Sequence, residues 1–558
     1  MLFEKERQPE YWLTMREDPE FARRLREVDK AYETAKTIYR DVINDITYTS
    51  RHLTHITGER DQFEEPMLVR RDLMHASGIL ALAYPEEKRY LDSFHDAVWA
   101  LCEEECWMLP AHYGSMLFHG DSIDLTSSLT GGAMAELLWF LGDRVDEEVR
   151  QAAAREIRRQ VIEPYKNHTI HWENTRHNWG SVCGCGVAAT LMYQDPEEFE
   201  RQKPRLLKTI ETAFSGYPSD GTCLEGIGYW EYGFGHWAAF AHLLKQYTDG
   251  AMDLFRDPAV EKVAGFGPKQ YLLGDCTVSY GDGERDKHLY SGLAEFLRTL
   301  YPGSVPLLPR ERKNYGFVRH WFTFRLQFLA FAGDLSGPIE NRDYYFESGG
   351  QFVVNRKGYS LAAKAGYNNE PHNHNDAGSF ILSDDSGQVF CDVGVGCYNR
   401  TYFMSDTRYG VLCNSSRGHS VPIINGCYQK EGNEFSADME YREGSCDIDI
   451  SRAYNIPGIS AKRRLEWTDD SIRIRDCFDR VLSVTERFVT LLEPRIEGNR
   501  IYVGNWVLTV ESPALQPSVS SELHRRRGPV GVTDLVYMID VPLPKGQKEA
   551  SFLITRAR

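Results

Sequence analysis

Residues 344–366 read YYFESGGQFVVNRKGYSLAAKAG. Short aromatic and β-branched runs alternate there between turn residues, the pattern of antiparallel strands joined by tight connections. The chain before it keeps another period. In FARRLREVDKAYETAKTIYRDVINDI, residues 21–46, the apolar positions Leu25, Val28, Tyr32, Ala35, Ile38, Tyr39 and Val42 fall at steps of three and four and share one helical face. Comparable patterns recur at 90–107 (YLDSFHDAVWALCEEECW), 131–145 (GGAMAELLWFLGDRV) and 236–247 (HWAAFAHLLKQY), separated by Gly, Pro and Asp breaks but with no fixed repeat length. That describes helix pairs in an irregular array. Beyond 344–366 the strand pattern continues in SFILSDDSGQVFCDVG (379–394) and SIRIRDCFDRVLSVTERFVTLLEP (471–494). The expected fold class is α+β multidomain: an incomplete (α/α) toroid over 1–335, then an antiparallel β-sandwich over 336–558. The change of period is placed near AGDLSGPIENRD (332–343), after a last helical run, HWFTFRLQFLAF (320–331).

A chain of 558 residues is long enough to bury more than one core. A formal charge of -17 argues against nucleic acid as a partner, because such binding rests on Lys and Arg neutralising phosphates. No apolar run reaches the roughly 18 residues of a membrane helix, so no membrane partner is expected. The charged N-terminal residues and twelve scattered cysteines without a C-x-x-C pair suggest a reduced, cytoplasmic protein.

The polar residues that could do chemistry gather in three places. PHNHNDAGSF (371–380) carries His372 and His374; if it were a strand, alternation would aim both imidazoles to one side. With Asp392 and His419 further on, His374 completes an N2O set suited to zinc or manganese. HWENTRHNWGSVCGCG (171–186) places Asn178 at the start of a helical run, where it could cap the helix or offer its amide to an anion. DGTCLEGIGYWEYGFGHW (220–237) is rich in glycine and presents Tyr229, Trp230 and Tyr232. Because the protein is acidic overall, an anionic ligand would need local cations, and Arg176, Arg400, Arg408 and Arg417 lie beside these motifs.

Taken in order, NWGSVC (178–183), the D-G…E-G-x-x-Tyr-Trp pattern (220–230) and H-x-H-x-D-x-G-S-F (372–380) resemble the heparinase II/III-like polysaccharide lyases, and the likeness extends over most of the chain. The resemblance implies β-elimination at a uronic acid. Asn178, with His177 and the adjoining helix terminus, would neutralise the uronate carboxylate. Tyr229 would protonate the leaving oxygen, with Tyr232 as its competitor, and His372 would be a base. Trp179, Glu225 and Trp230 would line the substrate subsite together with the four arginines. His374, Asp392 and His419 would hold one structural divalent metal, zinc or manganese. Many relatives have a histidine directly after the neutralising Asn; here Trp179 stands there and His177 precedes it, which leaves the histidine's role open. The partner implied is an acidic oligosaccharide or polysaccharide, and homo-oligomerisation is left open. Two other readings compete: a toroid-type glycoside hydrolase, using carboxylates such as Glu173, Asp220 and Glu225, and a non-catalytic protein that binds acidic carbohydrate.

Overall fold

The structure, a computed structural model, describes residues 4–42, 46–114, 117–176, 178–309, 337–527 and 532–557. Two helices without a polar face form the centre of the N-terminal half. Leu125–Leu141 and Asn178–Gln194 are buried almost all round. They approach each other through glycine: a Cβ on Gly186 would lie 2.5 Å from the Ser128 carbonyl oxygen. The helix Asp61–Ala83 packs on the first of the pair and carries Pro19–Val42 and Lys88–Cys102 outside it. Pro196–Phe214 and Gly235–Tyr247 pack on the second. In the outer helix Leu25, Val28, Tyr32 and Ala35 are buried, as their spacing requires.

The C-terminal half is a β-sandwich. Five antiparallel strands, Asp343–Phe346, Gln351–Asn355, Ser360–Lys364, Phe380–Asp384 and Gly387–Phe390, make one sheet. A nine-stranded sheet, whose centre is formed by Ser460–Trp467, Ser471–Asp479 and Glu549–Arg556, faces it. Between the two, Phe352, Leu361, Phe380 and Leu382 share one apolar core with Leu465, Ile474, Phe552 and Ile554.

The other face of the five-stranded sheet is also covered. Val353, Ala362 and Ile381 pack against Leu272 and Cys276 of a small hairpin from the helical half, Tyr271–Leu272 paired with Cys276–Thr277, and against Val278 and Tyr280 just after it. The three central strands are therefore buried at every position, which explains why QFVVN and SLAAK read as runs rather than as strict alternation. This contact also carries the segment after the hairpin up to the rim of the sandwich. A helical half followed by a β half is what the change of period indicates; the boundary itself, at 335/336, and the run 320–331 lie outside the described residues.

Candidate active site

A cavity of about 490 Å³ opens between the two halves. Asn178, Trp179, Tyr229 and Tyr232 line it from the helical side, and His372, Tyr398 and Phe403 from the β side. Asn178 is the first described residue of its helix, and its amide donates to Glu225 Oε2 instead of capping the helix. Its Oδ1 is buried without a hydrogen-bond partner. Tyr229 closes a short helical turn, Ile227–Tyr229, and its ring stacks on the His372 imidazole with centroids 4.1 Å apart. Burial raises the Tyr229 phenol to about 12, with Asp282 adding to the rise and Arg527 opposing it. Tyr232 is half-buried beside it, and burial holds its phenol well above the ordinary value.

The expected strand through His372 and His374 is not formed. Residues 371–379 make an irregular turn and the strand begins at Phe380, with His372 in the left-handed region at φ 56°. The clustered Asn and Asp side chains and Gly378 suit a turn better than a ladder. The two histidines nevertheless meet, on a residue that the motifs did not single out: Asp282. His372 Nδ1 lies 2.6 Å from Asp282 Oδ2, and His374 Nε2 lies 3.1 Å from Oδ1. Tyr398 donates to Oδ2 at 2.6 Å and Tyr402 donates to Oδ1. Tyr229 and Tyr398 are joined through their hydroxyls at 2.8 Å. Burial alone would raise the Asp282 carboxyl, but the bonds from His372 and His374 outweigh it and hold it well below the carboxylate range. The only local sign of this residue is Gly281-Asp282-Gly283, an acid between two glycines.

Behind the turn is a second polar cluster. Donor atoms of Asp376, Asp392 and His419 lie within 4.8 Å of one another. Asp392 Oδ2 and His419 Nδ1 face each other at 2.9 Å, and both are buried without a hydrogen-bond partner, as are Asp376 Oδ2 and His374 Nδ1. Buried orphan atoms of this kind are costly unless something binds them, and this donor set of imidazole and carboxylate fits a divalent cation. Two of the three expected ligands, Asp392 and His419, are in the cluster. Asp376 joins them where His374 was expected, while the His374 ring centroid stands 5.6 Å from that of His419. Lys364 holds Asp376 through its other oxygen at 2.7 Å.

Several expected contacts are placed elsewhere. Trp230 is fully buried and donates to the Val263 carbonyl, so it is core rather than a sugar platform; the glycines around it mark close packing, not exposure. Arg417 is paired with Glu522, and Arg408 braces the Tyr402 and Asn373 carbonyls. Arg400 is exposed outside the cavity, and Arg176 lines a smaller recess behind Asn178 that Glu225 also borders. The cations that do line the cavity are Arg60, Lys287 and Arg527, which come from segments far from every motif. Arg60 and Arg527 lie over the Tyr398 ring at 5.8 and 4.4 Å. His177 lies outside the described residues.

Residues 340–480 match the family described as Heparinase II/III-like, C-terminal. The helical and β halves together have the architecture of a solved heparinase III, at a TM-score of 0.63 and 13% identity over 89% of this chain and 77% of that one. Residues 340–480 thus carry the C-terminal domain of that family, and the whole chain shares the fold. The same heparinase II/III-like fold is found in the heparan sulfate lyase of Pedobacter heparinus, with a TM-score of 0.57 and 11% identity over 87% of this chain and 75% of that one. It is found again in the chondroitin AC lyase of Streptomyces coelicolor A3 in complex with chondroitin sulphate, with a TM-score of 0.54 and 10% identity over 96% and 79%. The sequence matches no curated protein. Among the described residues, no helix is long and apolar enough to cross a membrane.

Proposed function

We propose that the chain is a polysaccharide lyase that cleaves uronate-containing glycans, glycosaminoglycan fragments among them, by β-elimination. The observation that carries this reading is the Tyr229–His372 stack at 4.1 Å, lining one cavity with the Asn178 amide. Loss of the C5 proton adds negative charge to a carboxylate, so that charge has to be met first. Glu225 orients the Asn178 amide through one N–H and leaves the second for the substrate carboxylate. His372 Nε2 removes the C5 proton. The C–H electrons form the C4–C5 double bond, the C4–O4 bond breaks, and Tyr229 gives its proton to O4. With its phenol at about 12, Tyr229 is protonated at neutral pH and serves as the acid, which assigns the base to His372 rather than to a tyrosinate. Because the two rings are stacked, they address one face of the sugar, which favours glucuronate, whose proton and leaving oxygen share a face.

Arg60 and Arg527 supply the local positive charge that an acidic protein needs for an anionic glycan, while Lys287 is held by Glu231 and Glu284. A zinc or manganese ion held by Asp376, Asp392 and His419, with His374 Nδ1 as a further donor, would anchor the turn that carries His372, and its contribution there is structural. Of the carboxylates weighed for hydrolysis, Glu173 is engaged by Arg205, Asp220 by Thr222 and the Gly349 amide, and Glu225 by the Asn178 amide, and none of the three lines the cavity. Twelve free cysteines support a reducing, cytoplasmic setting as part of the proposal.

The test is a panel of purified glucuronate and iduronate oligosaccharides, read by the ultraviolet absorbance of the unsaturated product in isotopically labelled water. Absorbance without label in the product is expected, with glucuronate the faster substrate. Label incorporation would mean hydrolysis, and binding without turnover on any substrate would mean a carbohydrate-binding protein.

A further inference from the structure

Asp282 is more fully engaged than any other carboxylate lining the cavity. Its side chain is wholly buried, and four donors use its two oxygens. An ionised carboxylate only accepts, so each donor's proton is assigned by that fact. His372 must carry its proton on Nδ1, which places the lone pair on Nε2; Nε2 stands on the side of Glu225, 3.8 Å from its Oε2. His374 must carry its proton on Nε2, which leaves Nδ1 with a lone pair; Nδ1 is buried without a hydrogen-bond partner, on a ring whose centroid stands 5.6 Å from that of His419. Two neighbouring histidines are thus held in opposite tautomers by one residue. The Tyr398 proton points to Asp282, so the Tyr229 hydroxyl donates to Tyr398 in its turn.

The backbone supports the same arrangement. His372 is a non-glycine residue at φ 56°, a conformation that persists only where its surroundings hold it. A Cβ on Gly281 would come 3.2 Å from the His372 carbonyl oxygen, so the segment bearing Asp282 runs directly beneath the turn. Ser279 donates to the Asp392 carbonyl at 3.1 Å, and the Val395 amide donates to Gly283 at 3.0 Å, which fixes that segment to the sandwich on both sides of Asp282.

We infer that Asp282 is a positioning residue that sets His372 as a base with one oxygen and His374 as a metal ligand with the other, and so couples the reaction centre to the metal centre. The inference rests on the reading of His372 as the base. It extends to the lyase site a general rule of metal sites, in which a carboxylate on the far nitrogen of a histidine orients the ligand.

Asp282→Asn, His372→Ala and the double variant test it, with kcat, KM and metal retention measured for each. Asp282→Asn is expected to lower kcat by about 10²–10⁴-fold, as loss of the right tautomer does elsewhere, with KM changed less than about threefold. Added to His372→Ala, it should cost less than about threefold more, because both changes disable one group. Asp282→Asn should also weaken metal binding by about 10–100-fold, whereas His372→Ala should retain its metal. Multiplying effects in the double variant, or normal metal retention in Asp282→Asn, would overturn the inference. Turnover that survives His372→Ala would instead overturn the base assignment on which it rests. Should Asp282→Asn fail to fold, long-range proton–nitrogen spectra of the unsubstituted protein with labelled histidine read the same point, with the His372 signals assigned by their loss in His372→Ala. His372 is expected as the Nδ1–H tautomer, and any other form overturns the proposal.

Discussion

Asn178 and Tyr229 stand on the helical wall of the cleft and His372 stands on the β wall, and the two walls hold their residues by different means. On the helical side the helix Asn178–Gln194 is enclosed by others, and close packing around it fixes the backbone that carries Asn178. On the β side a nine-residue turn without regular structure presents the histidine, and polar atoms hold it: one carboxylate in front and a cluster of orphan donors behind. A packed wall feels a change of volume as small as one methylene. A polar scaffold tolerates little loss of a hydrogen-bonding or ligating atom. The walls should therefore fail differently.

The largest effect is expected where the walls meet. Tyr229→Phe keeps the stack on His372 but removes the transferable proton, so kcat should fall by about 10²–10⁴-fold with binding retained. Near-normal turnover would remove the tyrosine from the mechanism. Asn178→Ala should lower kcat by about 10²–10³-fold, the range of a lost oxyanion donor, with initial rates as the measurement. A change confined to KM would show that the amide recognises the ground state only.

The walls part company in the next two tests. Prolonged chelation, or His419→Ala, should remove about 3 kcal/mol of stability, taking a cation at roughly a hundred times its dissociation constant. Thermal unfolding with elemental analysis reads both sides of that statement, and a protein purified without a divalent cation and indifferent to chelator would end it. Gly186→Ala is the converse. Its methyl group would press on the Ser128 carbonyl from 2.5 Å, and the expected loss is about 1–3 kcal/mol in denaturant unfolding, with metal content unchanged.

The smallest effect is nil near neutrality. The Tyr229 phenol ionises near 10 in the unfolded chain and about 12 in the folded one, so unfolding releases a proton between those values. Stability should be flat below pH 10 and fall as pH rises from 10 through 12, with a shallower fall in Tyr229→Phe. Identical slopes in the two proteins would place the phenol in contact with solvent.

The same contrast explains what was legible in the sequence. Periodicity reports elements that bury one face, and it located both halves, with Leu25, Val28, Tyr32 and Ala35 inward as expected. It misled where burial was complete or the backbone irregular. Trp230, set among glycines, looked exposed and is core, and the H-x-H segment was read as a strand although it is a turn. The site was legible as far as its motifs reach: Asn178, Tyr229 and His372 do come together. Asp282 and the cations Arg60, Lys287 and Arg527 come from segments that meet the motifs only through tertiary packing, and nothing in their local pattern reports that meeting. The four arginines chosen for nearness in sequence show the converse, since Arg417 and Arg408 serve as braces.

The doubly covered sheet has a consequence for how this chain can be divided. A fragment cut at residue 336 would carry the sandwich but not the hairpin at 271–277, and Val353, Ala362 and Ile381 would meet water across one whole face. Such a fragment should bind apolar dyes and precipitate. Grafting the sandwich onto another scaffold, or splitting the gene for complementation, would thus need a cut upstream of Tyr271, so that the piece inherited as a unit spans the point where the sequence changes its rhythm.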